Sequence, residues 1–292
     1  FLWGSPKITG VVLGGTLIYI LGVVDDLKDL PAAVKFSWQT AVAVLMYYMG
    51  IKVQFIHNYF GDGILEFGTI ICFVVTVLWI VGVTNTINLI DGLDGLAAGV
   101  SIIAALSIAY VAYIHGEQFG FLLVCFVMLA VAGGAMGFLP YNFYPAKVFM
   151  GDGGSLFLGF MIAILSVVGP LKRSTIIAVV IPVLVLGIPI FDTFFAIIRR
   201  LLNGQPIMKA DKGHLHHHLM ASGYGQLRAV LMLYGISADM GMAAVLVSRE
   251  LYKDAFVLIV ITILYLYVFL TDPNRNVQKR QAVDIAKEER QK

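Results

Sequence analysis

Charged side chains are scarce in this sequence. Asp, Glu, Lys and Arg make up 13% of its 292 residues, whereas 59% are hydrophobic and the mean hydropathy is +0.88. These values lie far outside the range of soluble globular domains and predict a polytopic membrane protein. The formal net charge of +2 is too small to indicate a nucleic-acid partner. The few charges are clustered, which points to local sites.

Cysteine is rarer still, with two residues in the chain. Cys72 and Cys125 lie in apolar stretches and have no metal-binding spacing, so we expect them to pack as small hydrophobic side chains without a disulfide framework. The first residues, Phe1 to Gly4, lack an initiator methionine and the basic segment of a signal peptide. We therefore expect that residue 1 is not the natural start.

Hydrophobic runs long enough to cross a bilayer recur along the chain. We predict an all-α, polytopic transmembrane bundle of about nine helices, with an error of about one. The predicted spans are residues 8–24, 34–50, 69–87, 95–114, 120–138, 155–170, 174–198, 227–248 and 254–271. No internal repeat is visible. The predicted organisation is a transmembrane domain, residues 1–271, followed by a charged tail, residues 272–292.

Four loops carry most of the polar motifs: residues 25–33, 84–94, 139–154 and 199–226. All four fall on one side of the membrane if the nine helices hold. Together with the tail, this side carries 14 of the 20 Lys and Arg residues, six of them in the tail. The positive-inside rule then places the motifs in the cytoplasm.

The segment Thr84 to Leu96, TNTINLIDGLDGL, breaks into otherwise apolar sequence with four polar side chains at a three-residue spacing: Asn85, Asn88, Asp91 and Asp94. On one helix this row would turn through about half a circle, so an unbroken helix is not expected. Because Asp-Gly favours turns, we predict a helix end, a tight turn and a second helix capped by Asp94. The oxygens could surround a hard cation such as magnesium, or the residues could only cap two helices.

A second acidic segment, LGVVDDLKDLP, runs from an apolar helix into a proline. Adjacent carboxylates such as Asp25 and Asp26 repel each other, which invites a metal, a lysine partner or the raised pKa that suits a general base. Ionisable groups at membrane depth are costly, which favours a functional role for this pair, whereas Lys28 and Asp29 fit a solvated helix end. Lys35, at the start of the next helix, is expected either to snorkel toward headgroups or to bind a phosphate.

A glycine-rich segment, YNFYPAKVFMGDGGS, places Asp152 among three glycines. Glycines let backbone amides approach a phosphate closely, and we expect Ser155 to open a helix whose N-terminus faces that phosphate. Phe149 and Tyr144 offer flat surfaces for a base or a sugar ring.

The fourth polar loop follows Asp192, which lies in an apolar run shortly before Arg199. We favour an ion pair that holds a helix end for these two residues. Four histidines follow in the segment DKGHLHHHL: His214, His216, His217 and His218. They fit a phosphate-binding loop, a solvated tract or a zinc site, and zinc is the weakest of the three because closed zinc sites usually use wider spacing.

Taken together and in this order, DDLKD, TNTINLIDGLDGLAAG, FMGDGGSLFLG and HLHHHL resemble the motifs of the polyprenyl-phosphate N-acetylhexosamine-1-phosphate transferases, glycosyltransferase family 4. The resemblance covers residues 5–271. The histidine motif and the segment VLWIVGVTNTINLIDGLDGLAAGVS look most like the bacterial members that load GlcNAc-1-phosphate onto undecaprenyl phosphate. Since such proteins usually have about eleven helices, the resemblance implies that two further helices precede residue 1.

The resemblance also implies residue roles. Asn88 and Asp152 would hold a Mg²⁺ ion, with Mn²⁺ as an alternative, that bridges the pyrophosphate of the sugar nucleotide. Asp25 or Asp26 would orient or deprotonate the lipid phosphate, and Asp94 and Phe149 would place uracil. The full set of implied substrate contacts is Lys35, Asp91, Asp94, Asn142, Phe149, Arg199, His214, His216, His217 and His218.

The implied activity is a magnesium-dependent transfer of GlcNAc-1-phosphate from UDP-GlcNAc to undecaprenyl phosphate, which gives undecaprenyl-diphosphate-GlcNAc and UMP. This would be the first membrane step of a surface polymer such as teichoic acid or O-antigen. The expected location is the bacterial plasma membrane, with the site facing the cytoplasm, and a homodimer is left open.

The alternative activity is that of the related phospho-N-acetylmuramoyl-pentapeptide transferase. A cation transporter is the rival from another class, but its polar groups would lie near mid-membrane, often with inverted repeats.

Overall fold

The computed structural model describes residues 6–53, 55–57, 64–66, 68–116, 119–168, 183–184, 186–187, 190, 200 and 225–271. Eight long helices lie in these ranges: α1 (Pro6–Lys28), α2 (Ala32–Tyr48), α3 (Thr69–Ile90), α4 (Leu96–Ile114), α5 (Phe119–Asn142), α6 (Gly151–Val168), α7 (Gln226–Ser248) and α8 (Tyr252–Thr271). Each matches one predicted span, which confirms the all-α membrane bundle. The remaining predicted span, residues 174–198, falls almost entirely outside the described residues, as does the tail.

Two short strands, β1 (Phe55–His57) and β2 (Ile64–Glu66), pair antiparallel between α2 and α3, with Ile56 opposite Leu65. No strand was predicted between the spans 34–50 and 69–87, and the structure corrects the prediction there. Strands of three residues are too short to show a clear alternation of apolar and polar positions, so periodicity does not reveal them.

Six of the described helices are long and apolar enough to cross a membrane, namely α1, α3, α4, α5, α6 and α7. Large apolar side chains such as Ile70, Phe126 and Phe256 are exposed on the outside of the bundle. Exposed apolar side chains of this size suit an acyl-chain environment. Cys72 and Cys125 are buried free thiols, as predicted.

Helix α6 is the most enclosed of the six membrane-spanning helices. It packs against α1 and α3, while α4 packs against α5 and α7, and α8 lies against α7. Glycines set the closest approaches to α6. A Cβ atom on Gly22 of α1 would lie 2.5 Å from the carbonyl oxygen of Asp152, and one on Gly159 of α6 would lie 2.8 Å from the carbonyl oxygen of Thr84. These contacts bring the C-terminal ends of α1 and α3 to the N-terminal end of α6.

Candidate active site

The polar motifs meet where α1 and α3 end and α6 begins. Three of the four predicted loops, residues 25–33, 84–94 and 139–154, contribute side chains that bond to one another across this end of the bundle. The prediction that these loops share one face is therefore confirmed. The fourth loop, residues 199–226, lies outside the described residues except for residues 200, 225 and 226. Its predicted contacts are outside as well: Arg199, His214, His216, His217 and His218.

Lys35 joins two of the carboxylates. Its Nζ atom lies 2.6 Å from Oδ2 of Asp25 and 3.0 Å from Oδ2 of Asp152, which belong to α1 and α6. Asp25 is buried, and its Oδ1 atom accepts a hydrogen bond of 2.8 Å from the backbone amide of Leu30. The lysine thus neutralises part of the charge that two converging carboxylates create, and its ammonium group lies at the site.

Asp26 has a different environment from Asp25. Its Oδ1 atom accepts a hydrogen bond of 2.7 Å from the amide of Asp152, and its Oδ2 atom accepts one of 3.0 Å from the amide of Gly153. Because free amides at a helix N-terminus favour an anion, Asp26 caps α6 from a neighbouring helix.

This cap corrects two predictions about the glycine-rich segment. Helix α6 begins at Gly151 and not at Ser155. The hydroxyl of Ser155 lies inside the first turn and donates to the carbonyl of Gly151 at 2.9 Å. The first amides of α6, which were expected to face a phosphate, bind the carboxylate of Asp26 instead. A cap supplied by another helix has no local sequence signal.

Asn88 connects α3 to the start of α6. Its Nδ2 atom donates to Oδ1 of Asp152 at 2.8 Å and to the hydroxyl of Ser155 at 2.9 Å. Asn85, one turn earlier, instead donates to Oε1 of Gln39 at 2.5 Å, so it lies outside the cluster. The buried Gln39 of α2 was missed in the sequence, where it is a single amide in an apolar helix.

Asp91 follows the last residue of α3 and lies half-buried near the cluster. Its pKa is raised to about 7, mainly because burial disfavours the charged carboxylate and further because of the negative charges of Asp152 and Asp26. The site therefore has more negative charge than Lys35 compensates.

The turn between α3 and α4 has the predicted helix–turn–helix form, but its cap differs. The N-cap of α4 is Gly95, with φ of +80°, and not Asp94. Oδ2 of Asp94 instead accepts a hydrogen bond of 3.0 Å from the amide of Ala146. Asn142 is buried, accepts from the amide of Gly95 at 3.1 Å and donates to the carbonyl of Val148 at 3.0 Å. The tight turn directs the carboxylate of Asp94 toward the segment after α5, away from the first amides of α4.

Phe149 lies in the irregular segment between α5 and α6. Its side chain is 77% exposed, so the ring is accessible, as a stacking surface for a base or a sugar ring requires. The hydrogen bonds of Asp94 and Asn142 to residues 146 and 148 hold the segment that carries this ring. Phe149, Asp94 and Asn142 therefore belong to one structural unit beside the carboxylates.

The donor set suits the magnesium ion that the resemblance implies. The side chains of Asn88 and Asp152 are adjacent, joined by a hydrogen bond of 2.8 Å from Nδ2 to Oδ1, and amide and carboxylate groups supply the oxygen ligands that Mg²⁺ prefers. The described residues contain no group of three or more His, Cys, Asp or Glu side chains arranged to hold a metal. Mg²⁺ commonly binds through one or two carboxylates, with substrate phosphates and waters as further ligands.

The fold and the site define an integral membrane protein with a carboxylate-rich polar site at one end of its helical bundle. A family model described as glycosyl transferase family 4 matches residues 8–170. The chain belongs to this family.

Two relatives with named activities are similar over most of the chain. A probable undecaprenyl-phosphate N-acetylglucosaminyl 1-phosphate transferase of Bacillus subtilis is 45% identical over 263 residues, which cover 90% of this chain and 72% of the relative. A decaprenyl-phosphate N-acetylglucosaminephosphotransferase of Mycolicibacterium smegmatis is 33% identical over 79% of this chain and 61% of its own length.

A relative with a different substrate name is also similar. A phospho-N-acetylmuramoyl-pentapeptide-transferase of Listeria monocytogenes is 32% identical over 74% of this chain and 67% of the relative. All three relatives extend beyond the part that matches this chain.

Proposed function

We propose that this protein transfers GlcNAc-1-phosphate from UDP-GlcNAc to undecaprenyl phosphate, with undecaprenyl-diphosphate-GlcNAc and UMP as products. One observation carries the proposal: the side chains of Asn88 and Asp152 are adjacent, with Nδ2 of Asn88 2.8 Å from Oδ1 of Asp152, beside the ion pair of Asp25 with Lys35. This arrangement offers oxygen ligands for a cation and an ammonium group for a phosphate at the same end of a membrane bundle. The name of the Bacillus subtilis relative supports the choice of substrates.

In the proposed reaction, a phosphate oxygen of the lipid forms a bond to the β-phosphorus of UDP-GlcNAc. The bond from that phosphorus to the bridging oxygen breaks, and UMP leaves with that oxygen. Asn88 and Asp152 would hold the Mg²⁺ ion, which would neutralise charge on the pyrophosphate when bound. The protein's own contribution is to position the two anionic substrates and to exclude water from them.

Asp25 is our choice between the two adjacent aspartates for orienting the lipid phosphate. Both carboxylate oxygens of Asp26 accept backbone hydrogen bonds from α6, so its role is to fix Asp152. Asp25 instead pairs with Lys35, whose ammonium group can exchange a carboxylate for a phosphate oxygen without leaving the site. The lipid phosphate would then bind at Lys35, close to the residues that would hold the metal.

The nucleotide would lie over Phe149 and beside Asp94, because these residues form the accessible unit next to the carboxylates. The histidine loop, His214 and His216 to His218, would contact phosphate or sugar, as the resemblance implies. We further propose that the site faces the cytoplasm, where sugar nucleotides are found, on the excess of Lys and Arg on the motif side.

The test is an assay of the full-length protein in detergent with UDP-GlcNAc, undecaprenyl phosphate and Mg²⁺. We expect UMP release and a lipid product whose mass corresponds to addition of GlcNAc-1-phosphate, both abolished by EDTA and restored by Mg²⁺. Efficient use of UDP-MurNAc-pentapeptide in place of UDP-GlcNAc would shift the assignment to the related transferase. Ion flux in proteoliposomes without UMP release would overturn the proposal.

A further inference from the structure

We propose that Tyr234 of α7 is a positioning residue that holds the turn between α3 and α4 in the conformation that binds the nucleotide. The inference rests on the proposed function, and it concerns a residue 139 positions away from the turn in sequence. Tyr234 belongs to none of the polar motifs and lies inside an apolar helix, so the sequence gives no signal for it.

Both backbone polar groups of Gly95 are hydrogen-bonded. The hydroxyl of Tyr234 donates to the carbonyl oxygen of Gly95 at 2.5 Å. The same carbonyl accepts the first helical bond of α4, from the amide of Gly99 at 2.9 Å. The amide of Gly95 donates to Asn142 at 3.1 Å, so both polar groups of this residue have partners from other elements.

Gly99 provides the space for the side chain of Tyr234. The ring of Tyr234 lies directly against the backbone of α4, and a Cβ atom on Gly99 would overlap two ring carbons and the hydroxyl oxygen of Tyr234. Glycine is therefore needed for α7 to approach the first turn of α4 with an aromatic side chain. Gly95 itself has φ of +80° and is enclosed by Tyr234, Phe143 and Leu139, so its conformation is fixed from two helices.

The turn between α3 and α4 is connected to the segment before α6 by hydrogen bonds. Asn142 accepts from the amide of Gly95 and donates to the carbonyl of Val148, and Asp94 accepts from the amide of Ala146. A shift of Gly95 would therefore move Asp94 and the segment that carries Phe149 together. These are the residues to which we assign the nucleotide, whereas the ion pair of Asp25 with Lys35 does not pass through this network.

The expected consequence of losing the Tyr234 hydroxyl is selective. Gly95 keeps its helical bond, so the turn persists but is held less firmly. A single hydrogen bond of this kind corresponds to a change of about two- to tenfold in a binding constant. We expect Tyr234→Phe to raise the KM for UDP-GlcNAc by about this factor, while the KM for undecaprenyl phosphate stays within about twofold of wild type.

The experiment measures both KM values and kcat for the full-length wild type, Tyr234→Phe and a matched control. Tyr113→Phe is that control, because Tyr113 lies on α4 itself but is 65% exposed. The second variant is Gly99→Ala, which keeps the hydroxyl but displaces the ring. It should raise the same KM, and adding Tyr234→Ala should relieve the steric part of the defect. Equal changes in both KM values, or none, would overturn the inference.

Hydrogen exchange of the peptide covering residues 91–99 gives a readout that does not depend on activity. We expect faster exchange in Tyr234→Phe than in Tyr113→Phe. If the wild type releases no UMP, the proposed function fails, and the exchange result still decides whether Tyr234 holds the turn. If the wild type is active but the exchange of the two variants is the same, the inference about Tyr234 fails alone.

Discussion

Gly22 offers the sharpest test of how this fold builds its site. The residue lies on α1, one turn before Asp26, where α1 crosses the start of α6. A Cβ atom at this position would lie 2.5 Å from the carbonyl oxygen of Asp152 and 2.5 Å from the Cα atom of Gly153. Both neighbours are backbone atoms, so no side-chain rotation can make room.

The size of the effect of Gly22→Ala follows from these distances. Non-bonded heavy atoms prefer a separation of about 3.5 Å, so α1 and α6 must separate by about 1 Å. The hydrogen bonds from Asp152 and Gly153 to Asp26 are 2.7 and 3.0 Å long, and such a movement would break them. Overpacking of this kind costs about 1–3 kcal/mol, and a 1 Å displacement of catalytic groups lowers activity by about a hundredfold.

The assay compares UMP release and the melting temperature of Gly22→Ala with those of Gly82→Ala. Gly82 lies in the apolar helix α3, and a Cβ atom there meets nothing within 4 Å. The control matters because alanine raises intrinsic helix stability by up to about 1 kcal/mol over glycine. Activity of Gly22→Ala within twofold of Gly82→Ala, at an equal melting temperature, would refute the close contact on which the site depends.

Five further variants test separate parts of the site. Asp152→Asn should keep the protein in the membrane but remove most UMP release, and activity within a few-fold of wild type with unchanged Mg²⁺ dependence would contradict its assignment as a metal ligand. Asp26→Asn should speed exchange of the first amides of α6, whereas Asp25→Asn should lower kcat without that change; the reverse pattern would exchange their roles. Because the pKa of Asp91 is raised to about 7 in the folded protein, its ionisation opposes folding. In metal-free buffer, Asp91→Asn should therefore gain stability over wild type as pH rises from about 4 through 7, and a pH-independent difference in melting temperature would show otherwise. Alanine at His216 to His218 should raise the KM for the nucleotide sugar or lower kcat without changing metal content, and stoichiometric zinc lost with activity would disprove this.

The helices were predictable because each is a long apolar run, and length alone separates a membrane span from a strand. The turn was predictable for a local reason as well. Asn85 and Asn88 lie within α3, whereas Asp91 and Asp94 follow its end, as expected from a polar row that no single helix face can hold. The spacing does not predict the partners of these side chains, however. Asn85 donates to Gln39, whereas Asn88 donates to Asp152.

What could not be predicted depends on contacts between distant segments. Glycine is a poor helix former, so Gly151 to Gly154 read as a loop, yet these residues form the first turn of α6. Asp26 stabilises that turn from α1, and Gly22 allows α1 to come close enough. Tyr234 acts in the same way on the start of α4. In each case the partner is more than a hundred residues away, so no local pattern contains the information.

The charge balance of the site explains why the proposed chemistry requires a cation beyond those in the described residues. Asp25 and Asp152 share one ammonium group, that of Lys35, and Asp26 adds a third carboxylate at the start of α6. Both proposed substrates are anions, so without further positive charge the carboxylates would repel the pyrophosphate and the lipid phosphate alike. A divalent ion held by Asn88 and Asp152 would change this repulsion into attraction. The carboxylates would bind the ion, and the ion would attract the anionic substrates. We therefore expect binding of both proposed substrates to depend on the metal.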